Sequence, residues 1–184
     1  MSRYLYFIIF IILSAFSMHI PSKIDNAAYS YVDQYKALAV VEMYRCGIPA
    51  SITLAQALHE SGVGSSDLAI HANNHFGIKC KSYWNGKTYN HVDDDYDDDG
   101  NLIKSCFRAY DLVLDSYIDH SNFLKQSVRY EELFSIDKRD YKSWAHGLKR
   151  CGYATDNNYA KKLINNIEKY QLYLYDQENN PLLK

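Results

Sequence analysis

The stretch Ile52-Thr53-Leu54-Ala55-Gln56-Ala57-Leu58-His59-Glu60 constrains this chain more than any other. It reads as an apolar helical run. Pro49 enters it, at a first turn where a missing N–H costs nothing, and Ser61-Gly62-Val63-Gly64 stops it. A helix this apolar needs a core around it, and 184 residues suffice for one domain with a sizeable core. Its last residue, Glu60, is out of place by ordinary rules. A helix C-terminus carries partial negative charge and favours a cation. Apolar neighbours also disfavour an ionised carboxylate, so the Glu60 pKa is expected to be raised. A carboxylic acid held protonated near neutral pH is what a general acid for glycoside cleavage requires. The plainer reading is a surface glutamate with no role.

The N-terminus reads as an export signal over residues 1–17. Arg3 supplies positive charge, residues 4–16 form an uncharged apolar run too short for a comfortable membrane span, and Ala15-Phe16-Ser17 is a small-x-small cleavage site. An uncleaved anchor is the alternative. Export to the periplasm or the extracellular space permits disulfides, and the four cysteines allow three pairings. Cys80 and Cys106 bracket an Asp-rich excursion whose base a bridge would tie. Cys46 and Cys151 each stand in Arg-Cys-Gly, with the glycine reading as a helix C-cap, so a bridge joining two helix ends is also expected. The absence of Cys-x-x-Cys or compact Cys/His spacing argues against zinc, and no metal or cofactor is expected. A net charge of −2 without a basic run argues against nucleic acid as a partner. The chain is expected to be a monomer.

Along the chain, residues 27–46 pattern as a helix through Val32, Tyr35, Leu38, Ala39, Val41 and Met43. Ser65-Ser66-Asp67 caps a short helix ending at His71, and 73–79 is turn-rich, then extended. Residues 83–107 alternate and contain Gly86 and Gly100, which predicts a β-hairpin. Helices follow over 111–126, 140–149 and, capped by Thr155-Asp156, 158–173. The tail from Asp176 is polar and expected to be loose. The reading is one α+β domain, mostly α, over residues 27–176, with a helical lobe, a small β-hairpin wing and a polar tail over 177–184.

Two further features carry chemistry. The run Asp93-Asp94-Asp95-Tyr96-Asp97-Asp98-Asp99-Gly100 could supply a second carboxylate for Glu60, since glycosidases commonly use two acids roughly 5–10 Å apart. Its Asp95-x-Asp97-x-Asp99-Gly100 core opens like an EF-hand loop. The position for the bidentate glutamate is Cys106, however, and the flanks are strand-like, so an EF-hand is not expected, though a looser cation site stays open. Tyr153, between Gly152 and a helix cap, is placed to project a phenol into a groove; a packing tyrosine is the plainer reading. The 18 tyrosines suit a carbohydrate groove, with apolar faces and polar tips.

Gly47-Ile48-Pro49-Ala50-Ser51-Ile52-Thr53-Leu54-Ala55-Gln56-Ala57, then Glu60-Ser61-Gly62-x-Gly64 and Asn73-Asn74-x-Phe76-Gly77-Ile78-Lys79, begin an ordered set of motifs. Cys106-Phe107-Arg108-x-Tyr110, Ser116-Tyr117-x-Asp119-His120-Ser121-x-Phe123-Leu124 and Gly152-Tyr153-Ala154-Thr155-Asp156 continue it. Together they resemble the glucosaminidase family of bacterial cell-wall hydrolases, glycoside hydrolase family 73, its Bacteroidetes-type branch most, over about residues 30–175. The resemblance implies a lysozyme-like fold with a groove between the helical lobe and the wing. It also implies hydrolysis of the β-1,4 bond after N-acetylglucosamine in peptidoglycan strands. Glu60 matches the general acid and Tyr153 the active-site tyrosine, which orients substrate or stabilises developing charge. Asp93, Asp94 and Asp95 are the candidates for a second carboxylate, and Asn73, Asn74, Phe76 and Tyr159 are expected at the substrate. Contact with a membrane is expected only through an uncleaved signal. A muramidase or lytic transglycosylase on the same fold is the alternative, or a non-catalytic glycan-binding wall protein.

Overall fold

The computed structural model describes residues 23–97 and 99–183, without the side chains of Asp94 and Asp95; the expected signal over 1–17 lies outside the described residues. Six helices and one hairpin make up the fold: α1 (Lys23–Cys46), α2 (Ala50–Glu60), α3 (Asp67–Ala72), β1 (Thr88–Tyr96), β2 (Leu102–Arg108), α4 (Val113–Gln126), α5 (Tyr141–Arg150) and α6 (Tyr159–Lys169). Short 3₁₀ segments occupy Val128–Ser135, Leu172–Gln177 and Pro181–Leu183. No helix among the described residues is long and apolar enough to cross a membrane.

The run around which the sequence was read is the central element. Every residue of α2 from Ala50 to Leu58 is buried, Ser51, Thr53 and Gln56 included. Helices α1, α5 and α6 and the 3₁₀ turn Leu172–Gln177 pack on it, and the surrounding core holds Trp144, Tyr117, Leu124, Leu148, Leu163 and Ile167, all fully buried. Enclosure on this scale is why the helix can be apolar on all sides.

The start of α2 also accounts for a departure from expectation. Pro49 offers no side-chain cap there. Asp176 supplies one from far along the chain: its Oδ1 accepts from the Ser51 backbone N–H at 2.8 Å and its Oδ2 from the Ser51 hydroxyl at 2.7 Å. Burial pushes the Asp176 carboxyl up to about 6. The Tyr44 hydroxyl donates to the Glu178 carbonyl at 2.9 Å. The chain from Asp176 is thus tied to the helical lobe rather than loose. The last helix is also shorter than its pattern suggested. It ends at Lys169, and Gln171, at φ 54°, turns the chain into the 3₁₀ segment that delivers Asp176.

The hairpin pairs antiparallel, Thr88 with Arg108 through Val92 with Lys104, then Tyr96 with Leu102. Asp93, Asp94 and Asp95 therefore face a single residue, Ile103, across the ladder and form a bulge, a device that bends a strand and re-aims its side chains. The Cys80–Cys106 disulfide joins the base of the wing to the preceding segment, as expected. The backbone reinforces it: Cys80 donates to the Cys106 carbonyl at 2.8 Å and Arg108 to that of Ile78 at 2.9 Å. The expected Cys46–Cys151 bridge does not form; both cysteines are free. Cys46 is buried in the core at the end of α1, whereas the Cys151 thiol turns toward Glu132, 3.5 Å from Oε1. Two similar helix caps do not bring their ends together.

Candidate active site

A cleft of about 300 Å³ opens at the C-terminal end of α2. Glu60 is the last helical residue because the chain turns away at once, with Gly62, Val63 and Gly64 all at positive φ. The Ser61 side chain locks that turn, donating to the Ala57 carbonyl at 2.6 Å and accepting from the Gly64 N–H at 2.7 Å. At Gly64 a side chain would also meet the Tyr31 ring at 3.0 Å. Glu60 lines the cleft, and among the described residues it is the only carboxylate that does.

Burial raises the Glu60 carboxyl from its ordinary 4.5 to about 7, partly offset by a hydrogen bond from Tyr159 and the charge of Lys162. The hydrogen bond belongs to a short relay. Gln56, one turn before Glu60 on the same helix face, donates from Nε2 to the Tyr159 hydroxyl at 3.0 Å, and Tyr159 donates to Glu60 Oε1 at 2.9 Å. Tyr159 is only 1% exposed, so it positions Glu60 from behind and does not reach the substrate side as expected. Its hydrogen bond favours the ionised carboxylate. Tyr159→Phe is therefore expected to raise the Glu60 pKa further and to move the alkaline limb of the activity profile to higher pH. The same change should lower kcat/KM about tenfold, one hydrogen bond at about 1.4 kcal/mol. A pH–rate profile with an unmoved limb would show that the contact is inert.

Tyr153 stacks nearly parallel on Tyr159, with ring centroids 5.6 Å apart, and lines the cleft beside Glu60. Burial, and then the nearby Glu60 charge, push its phenol well above its ordinary range, so it stays protonated and able to donate. Gly152 before it takes φ 71°, and a Cβ there would sit 2.4 Å from the Arg129 guanidinium. Phe76 also lines the cleft, stacked 3.9 Å above His120. Burial lowers His120 to about 3, which leaves it a neutral aromatic slab.

Other expected site residues are placed differently. Asn73 ends α3 at φ 50°, and its amide donates to the Tyr110 and Asp111 carbonyls. Asn74, 1% exposed, donates to the Ile78 and Arg108 carbonyls and accepts from the Phe76 and Ile78 N–H groups. Neither lines the cleft. Both hold the backbone that presents Phe76 and joins it to β2. Asp93 pairs with Lys79, a cleft residue, at 2.9 Å. Asp94 and Asp95 follow it in the bulge, and their side chains lie outside the described residues. At the hairpin tip, Asp97 accepts from the backbone N–H groups of Asp99 and Asn101, so its carboxylate shapes the turn. No group of three His, Cys, Asp or Glu among the described residues could hold a metal ion.

The sequence reading missed the group that fastens the wing. Arg108, 4% exposed, donates from Nη1 to both Asp119 oxygens at 2.8 Å. Tyr110 donates to Asp119 Oδ2 at 2.6 Å, and Trp84 covers the guanidinium at 4.6 Å. Arg108, Tyr110 and Asp119 lie within the ordered motifs and Trp84 outside them, and no local pattern marks the four as partners.

Comparison with known proteins agrees with this geometry. The family described as mannosyl-glycoprotein endo-beta-N-acetylglucosaminidase matches residues 36–172. The exo-glucosaminidase LytG of Bacillus subtilis is 33% identical over 159 residues, covering 84% of this chain and 55% of LytG. The chain spans about half the length of the curated relatives it matches. Among solved structures, the catalytic domain of the Listeria monocytogenes autolysin Auto superposes with a TM-score of 0.72 at 27% identity, covering 85% of this chain and 91% of that one. A peptidoglycan hydrolase from Sphingomonas sp. A1 gives 0.68 at 29% identity, covering 80% and 92%. A lysozyme-like helical lobe with a two-stranded wing, and a family match over most of its length, establish that the chain belongs to the glucosaminidase family, glycoside hydrolase family 73.

Proposed function

We propose that the protein is an exported peptidoglycan hydrolase that cleaves the β-1,4 bond after N-acetylglucosamine within glycan strands, with Glu60 as general acid. One observation carries this reading. The half-buried Glu60 carboxyl, the only one among the described residues to line the cleft, is raised to about 7, where a carboxylic acid is still available to protonate a leaving oxygen near neutral pH. Tyr153 stands beside it as a neutral donor for a sugar substituent or for charge developing at the anomeric centre. The second acid comes from the bulge in β1. Asp93 is tethered to the cleft through Lys79, and Asp94 and Asp95 follow it in the bulge of the same strand. The relatives' names, an exo-glucosaminidase and a peptidoglycan hydrolase, support the substrate class. Such a substrate requires export, by a signal over residues 1–17, and the domain acts as a monomer.

The test is digestion of purified peptidoglycan followed by mass analysis of the new chain ends. The expected product carries a reducing N-acetylglucosamine. A reducing muramoyl end would reassign the enzyme as a muramidase, and a 1,6-anhydro-muramoyl end as a lytic transglycosylase. No new ends from folded protein would leave only a glycan-binding role.

A further inference from the structure

The cleft does not stop at Glu60's neighbours. Beyond Tyr130 a second depression of about 520 Å³ continues it, reaching Tyr83 and Gln126 and sharing Lys81, Phe123, Arg129 and Tyr130 with the first. The shared wall thus carries two cations and two aromatic rings. No described carboxylate lines the second depression, and Glu60 is the only one described in the first.

Lys81 and Arg129 make no ion pair within 4 Å among the described residues; other exposed lysines, such as Lys104 and Lys161, are likewise unpaired, but these two cations share one groove wall. Arg129 also lines a neighbouring depression with Glu131 and Glu132, without an ion pair to either within 4 Å, and Glu132 pairs instead with Arg150 at 3.1 Å. The Arg129 guanidinium lies against Gly152, next to Tyr153. A guanidinium and an ammonium on one groove wall, neither in an ion pair among the described residues, match a ligand that brings its own anion.

The sugar rings of a glycan strand are neutral, so the anion must be a substituent. On the reading that the substrate is peptidoglycan, on which this inference rests, the muramoyl residues bear one: carboxylates of the stem peptide or, after its removal, the lactyl carboxylate itself. We propose that Lys81 and Arg129 form a subsite for a carboxylate carried on the muramoyl side chain, so that the groove discriminates muramoyl-bearing strands from neutral polymers of N-acetylglucosamine.

Binding tests this without relying on turnover. The Glu60→Gln protein is titrated by calorimetry with three oligosaccharides of equal length: peptide-bearing muramoyl strands, strands stripped of peptide, and N-acetylglucosamine oligomers. The same titrations are made with Glu60→Gln/Lys81→Gln/Arg129→Gln, and separately with Glu60→Gln/Lys81→Gln in case the Arg129 change disturbs folding. Tighter binding of muramoyl strands than of the neutral oligomer is expected, by about tenfold or more, narrowing as salt is raised and largely lost in the cation variants. If only peptide-bearing strands show the preference, the anion is on the stem; if stripped strands keep it, it is the lactyl group. Equal affinity for all three ligands, or a preference indifferent to both salt and the substitutions, overturns the subsite. The peptidoglycan reading is judged separately, by whether wild-type protein creates new chain ends.

Discussion

Glu60→Gln should reduce peptidoglycan hydrolysis by at least about two to four orders of magnitude, the usual contribution of a positioned general acid, while leaving the protein folded. The amide keeps the size of the side chain and can still accept from Tyr159, but it has no proton to deliver to a leaving oxygen. A mutant retaining activity within about tenfold of wild type would remove Glu60 from the mechanism. The raised pKa makes two further effects expected. In wild-type protein the competent form is the protonated one, so activity should fall as pH rises through about 7. Stability carries the same sign. The folded state holds the Glu60 proton more tightly than the unfolded chain does. The associated stability is fully present below 4.5 and is lost as pH rises through about 7. The neutral amide escapes that loss. Glu60→Gln should therefore match wild type at pH 4 and exceed it at pH 8.5 by on the order of 2 kcal/mol, read from denaturant unfolding at the two pH values. An inactive variant that is more stable at alkaline pH separates a functional carboxyl from a structural one.

Asp119→Ala should destabilise the fold by about 3–5 kcal/mol, the cost of leaving a buried charge without its partner. Arg108 is buried beneath Trp84 and directs Nη1 at both Asp119 oxygens. Without Asp119 it keeps the Tyr83 hydroxyl at 3.2 Å, and the Tyr110 hydroxyl loses its acceptor. The melting temperature should drop by roughly 10 °C. Hydrogen exchange should show the loss first in β2 and in the segment carrying Ile78 and Cys80, which β2 supports through its backbone bonds. The double change Arg108→Met/Asp119→Leu, which removes both charges, should recover much of the stability. A drop of less than 1 kcal/mol in the single variant would mean that water reaches the guanidinium and that the disulfide and the backbone bonds hold the wing without this pair.

Much of the architecture was legible because the signals were local. The apolar run with Pro49 before it and Gly62 after it specified α2 and put Glu60 at its end. The serines before Asp67 specified the start of α3, where Ser66 accepts from the Ala69 N–H at 3.2 Å. Alternation with Gly100 at the tip specified the hairpin, and Cys80 with Cys106 marked its base. What was not legible was distant in sequence. Asn73 and Asn74 sit in a motif that suggested substrate contacts, and their amides bond backbone carbonyls, some of them more than 30 residues away. Cys46 and Cys151 share a local pattern, which says nothing about whether two helix ends meet.

The sequence by itself determined most of the elements and their order, and placed Glu60 at the end of α2, because helix periods, caps and turn residues act over a few positions. Only the tertiary structure decided how that acid is controlled. The Tyr159 that positions Glu60 lies 99 residues away, and the Asp176 that caps the same helix lies 125 residues from Ser51. Burial, which sets the pKa of Glu60, exists only once α1, α5 and α6 close around α2. An ionisable group takes its proton affinity from the assembled surroundings, and no short stretch of chain contains those.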